Sequence, residues 1–166
     1  QYDISDLVYY FQCTKEKLSL RLSSIVENVH GLDFVPPVQL YQSILGVHGR
    51  QWIELFAEIE KCSDYEYLIL DLTDGVADLW DILRSCTHVY TITRGDGVSL
   101  AKMDQYEQGL RTMEYEDVLA KTKKIEFPVF KEIPIRFDEL TYGDLARYVR
   151  QYIIPDFEGE RAEDNE

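Results

Sequence analysis

The chain has 166 residues, enough for one domain with a substantial core and too few for two ordinary ones. Hydrophobic residues make up 45% and charged residues 29%, a balance that excludes general disorder. Thirty-one Asp and Glu against 17 Lys and Arg leave a net charge of −14, and a surface of that sign repels phosphate backbones and anionic lipid, so no direct nucleic-acid partner is expected.

Asp3–Gln12 places Ile4, Leu7, Val8 and Phe11 on one helical face, with Asp3 as the N-cap. Lys15–Asn28 repeats the pattern through Leu18, Leu22, Ile25, Val26 and Val29, with Gly31 as its stop, although the alternation of Leu18, Leu20 and Leu22 leaves a strand open there. Leu32–Val35, closed by Pro36 and Pro37, predicts a short buried strand. A brief helix around Gln39–Leu45 precedes a stronger one, Arg50–Lys61, which carries Trp52, Ile53, Phe56 and Ile59. Tyr65–Leu72 (YEYLILDL) is the clearest strand signal, apolar on both faces as in a strand covered by helices on each side. A helix over Val76–Ser85, a buried strand over His88–Thr93, a helix over Ser99–Met113 and a short helix over Asp117–Lys121 follow. Lys124–Phe127 and Ile133–Ile135 are weaker extended pieces, and Leu145, Tyr148, Val149, Tyr152 and Ile153 share a last helical face that Pro155 ends.

Short apolar strands alternating with helices predict an α/β fold, a three-layer, mostly parallel sheet flanked by helices. The domain is expected over 1–154, and the terminal segment 155–166, acidic from residue 156 onwards, is read as a disordered tail. The wholly apolar runs, such as Tyr67–Leu70, fall far below the ~20 residues of a membrane span, so no transmembrane segment is expected, and no signal peptide is visible. Cys13, Cys62 and Cys86 lie far apart with no C-x-x-C pair, which points to reduced thiols and a cytoplasmic location.

Ligands of open parallel sheets bind beyond the carboxyl ends of the strands, so three loops are candidates for chemistry. Asp71, ending an apolar run ahead of Thr73-Asp74-Gly75, reads either as a magnesium-holding carboxylate of Walker B type or as the cap of the next turn. Arg94, within Thr91–Gly97, could meet a phosphate or lie in a surface loop. Thr141, before the last helix, is a good N-cap. A phosphate loop is missing, because none of the nine glycines is followed by Lys, so the chain has no Walker A sequence.

The order of Ser5–Tyr10, Leu18…Leu22…Ile25, Gly31–Pro37, Tyr65–Asp71 and Val89–Thr93 resembles the later part of a MinD/ParA-type P-loop ATPase, most closely the TadZ/CpaE-like ATPases of pilus assembly. The resemblance covers roughly residues 3–154 and implies a P-loop NTPase-like fold lacking the Walker A strand, which would lie before Gln1. It further implies ATP and Mg2+ as cofactors of the complete protein, with Asp71 as the catalytic and metal-holding acid and Pro134, Ile135 and Arg136 beside the adenine base. Thr73-Asp74 stand where that family writes Asp-x-Pro-Pro-Gly. The implied function is a nucleotide-dependent dimerisation and localisation switch: a homodimer working with pilus or secretion machinery, and peripheral to the membrane through those partners. ATPase activity would require the upstream segment.

The alternative is a non-catalytic α/β interaction module. A response-regulator receiver fits less well, since its acidic pair and its lysine cannot be placed together. In the P-loop fold the missing strand is central, and removing it exposes strand edges. The chain is therefore expected to pair with that segment, to swap elements with another copy, or to have rebuilt its sheet.

Overall fold

A computed structural model describes residues 2–129, 136 and 139–155. They fall into two units, one built from residues 2–28 and 32–127, the other from 29–31 and the described part of 128–155. The described elements run α1 (Ile4–Cys13), α2 (Leu18–Ile25), β1 (Glu27–Val29), β2 (Leu32–Phe34), α3 (Gly49–Cys62), α4 (Leu79–Ser85), β3 (Val89–Thr93), α5 (Gly97–Thr112), α6 (Glu116–Ala120), β4 (Thr122–Glu126) and α7 (Gly143–Tyr152). The α/β class stands. Among the described residues, however, the strands form two separate pairs, β1 with β2 and β3 with β4, in place of one continuous sheet.

Helix α1 begins where expected, on a capping box. Asp3 Oδ1 accepts from the Ser5 backbone N–H at 2.8 Å, while Asp6 Oδ2 accepts from the Asp3 N–H at 2.9 Å. These bonds occupy backbone donors that a helix start leaves without partners. The Ser5 hydroxyl and backbone bonds hold the Asp3 carboxyl below the usual carboxylate range. Its apolar face buries Leu7, Val8 and Phe11 against Leu18, Leu22 and Ile25 of α2 and Trp52, Leu55 and Ile59 of α3. A fully buried side chain of this kind contributes about 1.5–3 kcal/mol, and this cluster is the larger core of the first unit.

The sequence expectation extended α2 to Asn28, but the helix ends at Ile25. Glu27–Val29 instead turns back through His30 and Gly31 onto β2. His30 (φ 52°) and Gly31 (φ 88°) are both left-handed, as a two-residue hairpin turn of the favoured twist requires. The β2 strand is mostly exposed, not the buried strand expected over Leu32–Val35.

The second core of this unit lies where α4, α5 and α6 cover β3 and β4, around Val89, Leu110 and Val118 with Trp80, Tyr106 and Tyr115 beside them. Strand β3 pairs in parallel with β4, Val89 opposite Thr122 and Thr93 opposite Glu126, with α5 in the crossover. Arg84 fastens α4 to α6: its guanidinium makes a fork onto Asp117, both bonds at 2.8 Å, and stacks 3.9 Å from the Tyr115 ring centre. Tyr115 in turn donates its hydroxyl to Asp81 at 2.6 Å.

The largest departure is Tyr65–Leu72, the segment expected as a covered central strand. It forms neither helix nor ladder. Leu70 and Leu72 pack on the N-terminal core, while Tyr67 (44% exposed) and Ile69 (76%) face out. Core packing covers one side of the segment only. Periodicity shows that a segment can be buried on both sides; it does not show that neighbouring strands are there to do it.

In the second unit α7 is an amphipathic helix entered from Tyr142 rather than from Thr141. Gly143 opens it at φ 85°, a left-handed conformation that disfavours a side chain. Ile133–Ile135 and the acidic segment 156–166 lie outside the described residues. Among the described residues no helix is long and apolar enough to cross a membrane.

Candidate functional site

The segment from Ser63 to Asp78 carries the strongest candidate residue, Asp71, and is held at both ends. At its start the Ser63 hydroxyl donates to the Ile59 carbonyl at 2.7 Å and closes α3. Tyr65 donates its hydroxyl to Asp33 Oδ2 at 2.9 Å, and Asn28 donates to Asp33 Oδ1 at 2.5 Å. These two donors, Asn28 foremost, lower the Asp33 carboxyl from its ordinary value, while burial and the Asp33 bond raise the Tyr65 phenol.

At the far end Val76 N–H donates to the Thr73 carbonyl at 3.2 Å, forming a turn, and the Tyr41 hydroxyl donates to the Gly75 carbonyl. A Cβ on Gly75 would stand 2.9 Å from the Tyr41 oxygen, so glycine lets the two approach. Asp78 is left-handed (φ 53°), and its Oδ2 accepts from Gly49 N–H at the start of α3 at 2.9 Å, with His48 Nδ1 3.7 Å away. These contacts join positions about thirty residues apart, so no local sequence pattern reveals them.

Between the two anchors, Leu68–Leu72 is the bare stretch. Among the described residues, Leu68–Leu72 make no hydrogen bond, and Asp71 has neither a hydrogen bond nor an ion pair. Asp71 is therefore not the cap of the following turn, the more conservative of its two readings.

As a magnesium ligand Asp71 is incomplete. Magnesium in nucleotide sites takes six oxygens, drawn from one or two carboxylates, water and phosphates. Asp71 supplies one carboxylate, and among the described residues no group of three His, Cys, Asp or Glu gathers in metal-binding geometry. The glycine–lysine cradle that would bring the phosphates does not occur in the sequence. Among the described residues, the groups around Asp71 do not by themselves make an Mg-ATP site.

The loop after β3 is similarly occupied. Asp96 Oδ1 accepts from the backbone N–H of Val98 (3.0 Å) and Ser99 (2.9 Å), taking donors that would otherwise meet an anion at the start of α5. Those Ser99 bonds lower the Asp96 carboxyl, so the helix start is already anionic. Glu126 lies against Gly95 and adds a second carboxylate. Arg94 is exposed in this loop, and its surroundings repel a phosphate more than they attract one.

Of the residues expected beside a nucleotide base, Pro134 and Ile135 lie outside the described residues. Arg136 is described and exposed, and its carbonyl accepts from Glu139 N–H at 3.1 Å. It belongs to the second unit, Asp71 to the first. Within the second unit an open hollow of about 270 Å³ lies along α7 between Leu140 and Ile154, lined by Leu145 and Val149. Arg150, at its rim, donates to the Thr141 carbonyl at 2.7 Å. The hollow lies below the usual size of ligand pockets, roughly 300–1,000 Å³, and lacks their convergent polar groups. The Leu145–Val149 spacing had marked this face as apolar, though as core.

The chain matches no protein-family model, no curated protein and no solved structure.

Proposed function

We propose that this chain is a non-catalytic α/β interaction module whose working surface is the bare segment around Ile69. The observation that carries this reading is the combination of one-sided core packing at Leu70 and Leu72 with exposed Ile69 and a backbone that, among the described residues, makes no hydrogen bond from Leu68 to Leu72. An apolar segment with open backbone donors and acceptors is a template for another polypeptide. Soluble domains ordinarily blunt such a template with charged side chains, lysine above all, with proline or with a bulge; Leu68–Leu72 contains neither lysine nor proline, and its one charge is Asp71.

A second reading is favoured by the parallel β3–α5–β4 unit and by an Asp directly after an apolar run. It makes the chain a portion of a MinD/ParA-like, ATP-dependent dimerisation and localisation switch, possessing a nucleotide site only together with a phosphate cradle from outside this sequence. Calorimetric titration with Mg-ATP of the protein isolated from its source cells, in which any phosphate cradle encoded beyond this sequence is present, separates the two. No saturable heat is expected. Saturable binding that Asp71→Ala abolishes would overturn the interaction reading in favour of the switch.

A further inference from the structure

Charge and backbone together specify what the bare segment accepts. From Cys62 to Leu83 the chain carries Asp64, Glu66, Asp71, Asp74, Asp78 and Asp81 and no lysine or arginine. All six acids are exposed. Asp78 and Asp81 are committed to Gly49 and Tyr115, whereas Asp64, Asp71 and Asp74 make no hydrogen bond or ion pair among the described residues. The apolar stretch Leu68–Leu70 is thus bracketed by carboxylates on both sides.

We propose that Leu68–Leu72 receives a strand from a partner protein, apolar at its centre and bearing lysine or arginine at its ends. This rests on the interaction reading above and adds the chemistry of the occupant. The side-chain pattern is already that of a half-buried strand: Leu70 and Leu72 turn to the core, Ile69 and Asp71 turn outward, and Leu68, at 38% exposed, lies between. An added strand would supply the backbone partners that Leu68–Leu72 lacks among the described residues and cover Ile69, while its basic ends would meet Asp64 on one side and Asp71 and Asp74 on the other.

A second copy of this chain is the less suitable occupant. Antiparallel self-pairing about Leu70 would gather two sets of Asp64, Glu66, Asp71 and Asp74 into one ribbon, and like charges facing across strands are destabilising. The net charge of −14 on each copy adds repulsion at longer range.

The test uses the full chain and two labelled nine-residue peptides sharing an alternating valine–threonine centre, one ending in lysine pairs and the other in glutamate pairs. Fluorescence anisotropy at low salt should give at least tenfold tighter binding for the lysine-ended peptide. That preference should shrink toward unity in 1 M salt, where the screening length falls to about 3 Å. Hydrogen exchange should slow at residues 68–72 when the peptide binds. Ile69→Ser should weaken binding about tenfold at unchanged charge, and the double variant Asp71→Asn, Asp74→Asn, which leaves the acids at the other end, should reduce the lysine preference by roughly half on a logarithmic scale.

Equal binding of both peptides, or lysine-ended binding that leaves 68–72 unprotected and is indifferent to Ile69→Ser, would overturn the proposal. So would a dimer of the chain alone, seen by sedimentation, that itself protects 68–72. The Mg-ATP titration is independent of all these outcomes, so a wrong occupant and a wrong functional class are told apart.

Discussion

Replacing Ile69 by alanine measures directly whether the YLIL segment is a covered strand or the half-bare one described above. Ile69 is 76% exposed, so only about a quarter of the side chain is shielded from water. Full burial of an isoleucine contributes about 1.5–3 kcal/mol, and a quarter of that is about 0.4–0.8 kcal/mol. Leu55, on α3 at 1% exposed, is the internal reference, because Leu55→Ala opens a cavity in the N-terminal core and should cost about 2–5 kcal/mol. Urea unfolding followed by far-ultraviolet circular dichroism gives both values, compared through midpoints at unchanged slope. A cost for Ile69→Ala of about 2 kcal/mol or more, close to that of Leu55→Ala, would refute the exposed assignment. If that cost also depended on protein concentration, the cover would come from a second copy.

Gly49→Ala is expected to destabilise by about 1–3 kcal/mol in the same assay, because the new Cβ would stand 2.5 Å from Asp78 Cβ and 3.1 Å from its carbonyl oxygen. Helix propensity alone favours alanine there by up to about 1 kcal/mol, so a stabilised variant would show that the Asp78 anchor gives way. Asp3→Ala should cost about 1 kcal/mol through loss of the α1 cap. The Asp3 carboxyl is lowered on folding, so its contribution is complete above the ordinary aspartate range and is lost as pH falls through the lowered value. Stability measured from pH 6 down to pH 2 should therefore fall less steeply in Asp3→Ala, and parallel curves would contradict this. Exposed Cys13 should react with a disulfide reagent at pH 7.5 well before Cys86, whose thiol burial pushes up despite the nearby Lys121 ammonium. Mass mapping of the first labelled cysteine checks the order.

The helices were legible in the sequence because their signals are local. The Ile4–Leu7–Val8–Phe11 stripe with Asp3 ahead of it marks α1 to within a residue, and the apolar face of α3 is equally plain. Boundaries were lost where a local pattern continued past the element. Val26 and Val29 fit the α2 periodicity, but two left-handed residues, His30 and Gly31, allowed the chain to fold back as a hairpin instead. Of the candidate site, Asp71 could be located from its apolar run, but its isolation could not. Its lack of partners among the described residues goes with contacts from Asp33, Tyr41 and Gly49, which are remote in sequence and hold the loop by its two ends.

By itself the sequence determined the α/β class, the strand–helix–helix–strand order that became β3–α5–α6–β4, the acidity and the lack of a phosphate loop. These depend on residue identity and on spacing within a few turns of chain. Only the tertiary structure decided what becomes of Tyr65–Leu72. A strand exists by virtue of the ladder a neighbour provides, and its propensity is mostly a statement about that neighbour. Leu70 and Leu72 found a core to pack on, while Leu68–Leu72 found no backbone partner among the described residues. The most strand-like stretch of the chain therefore has, among the described residues, no ladder.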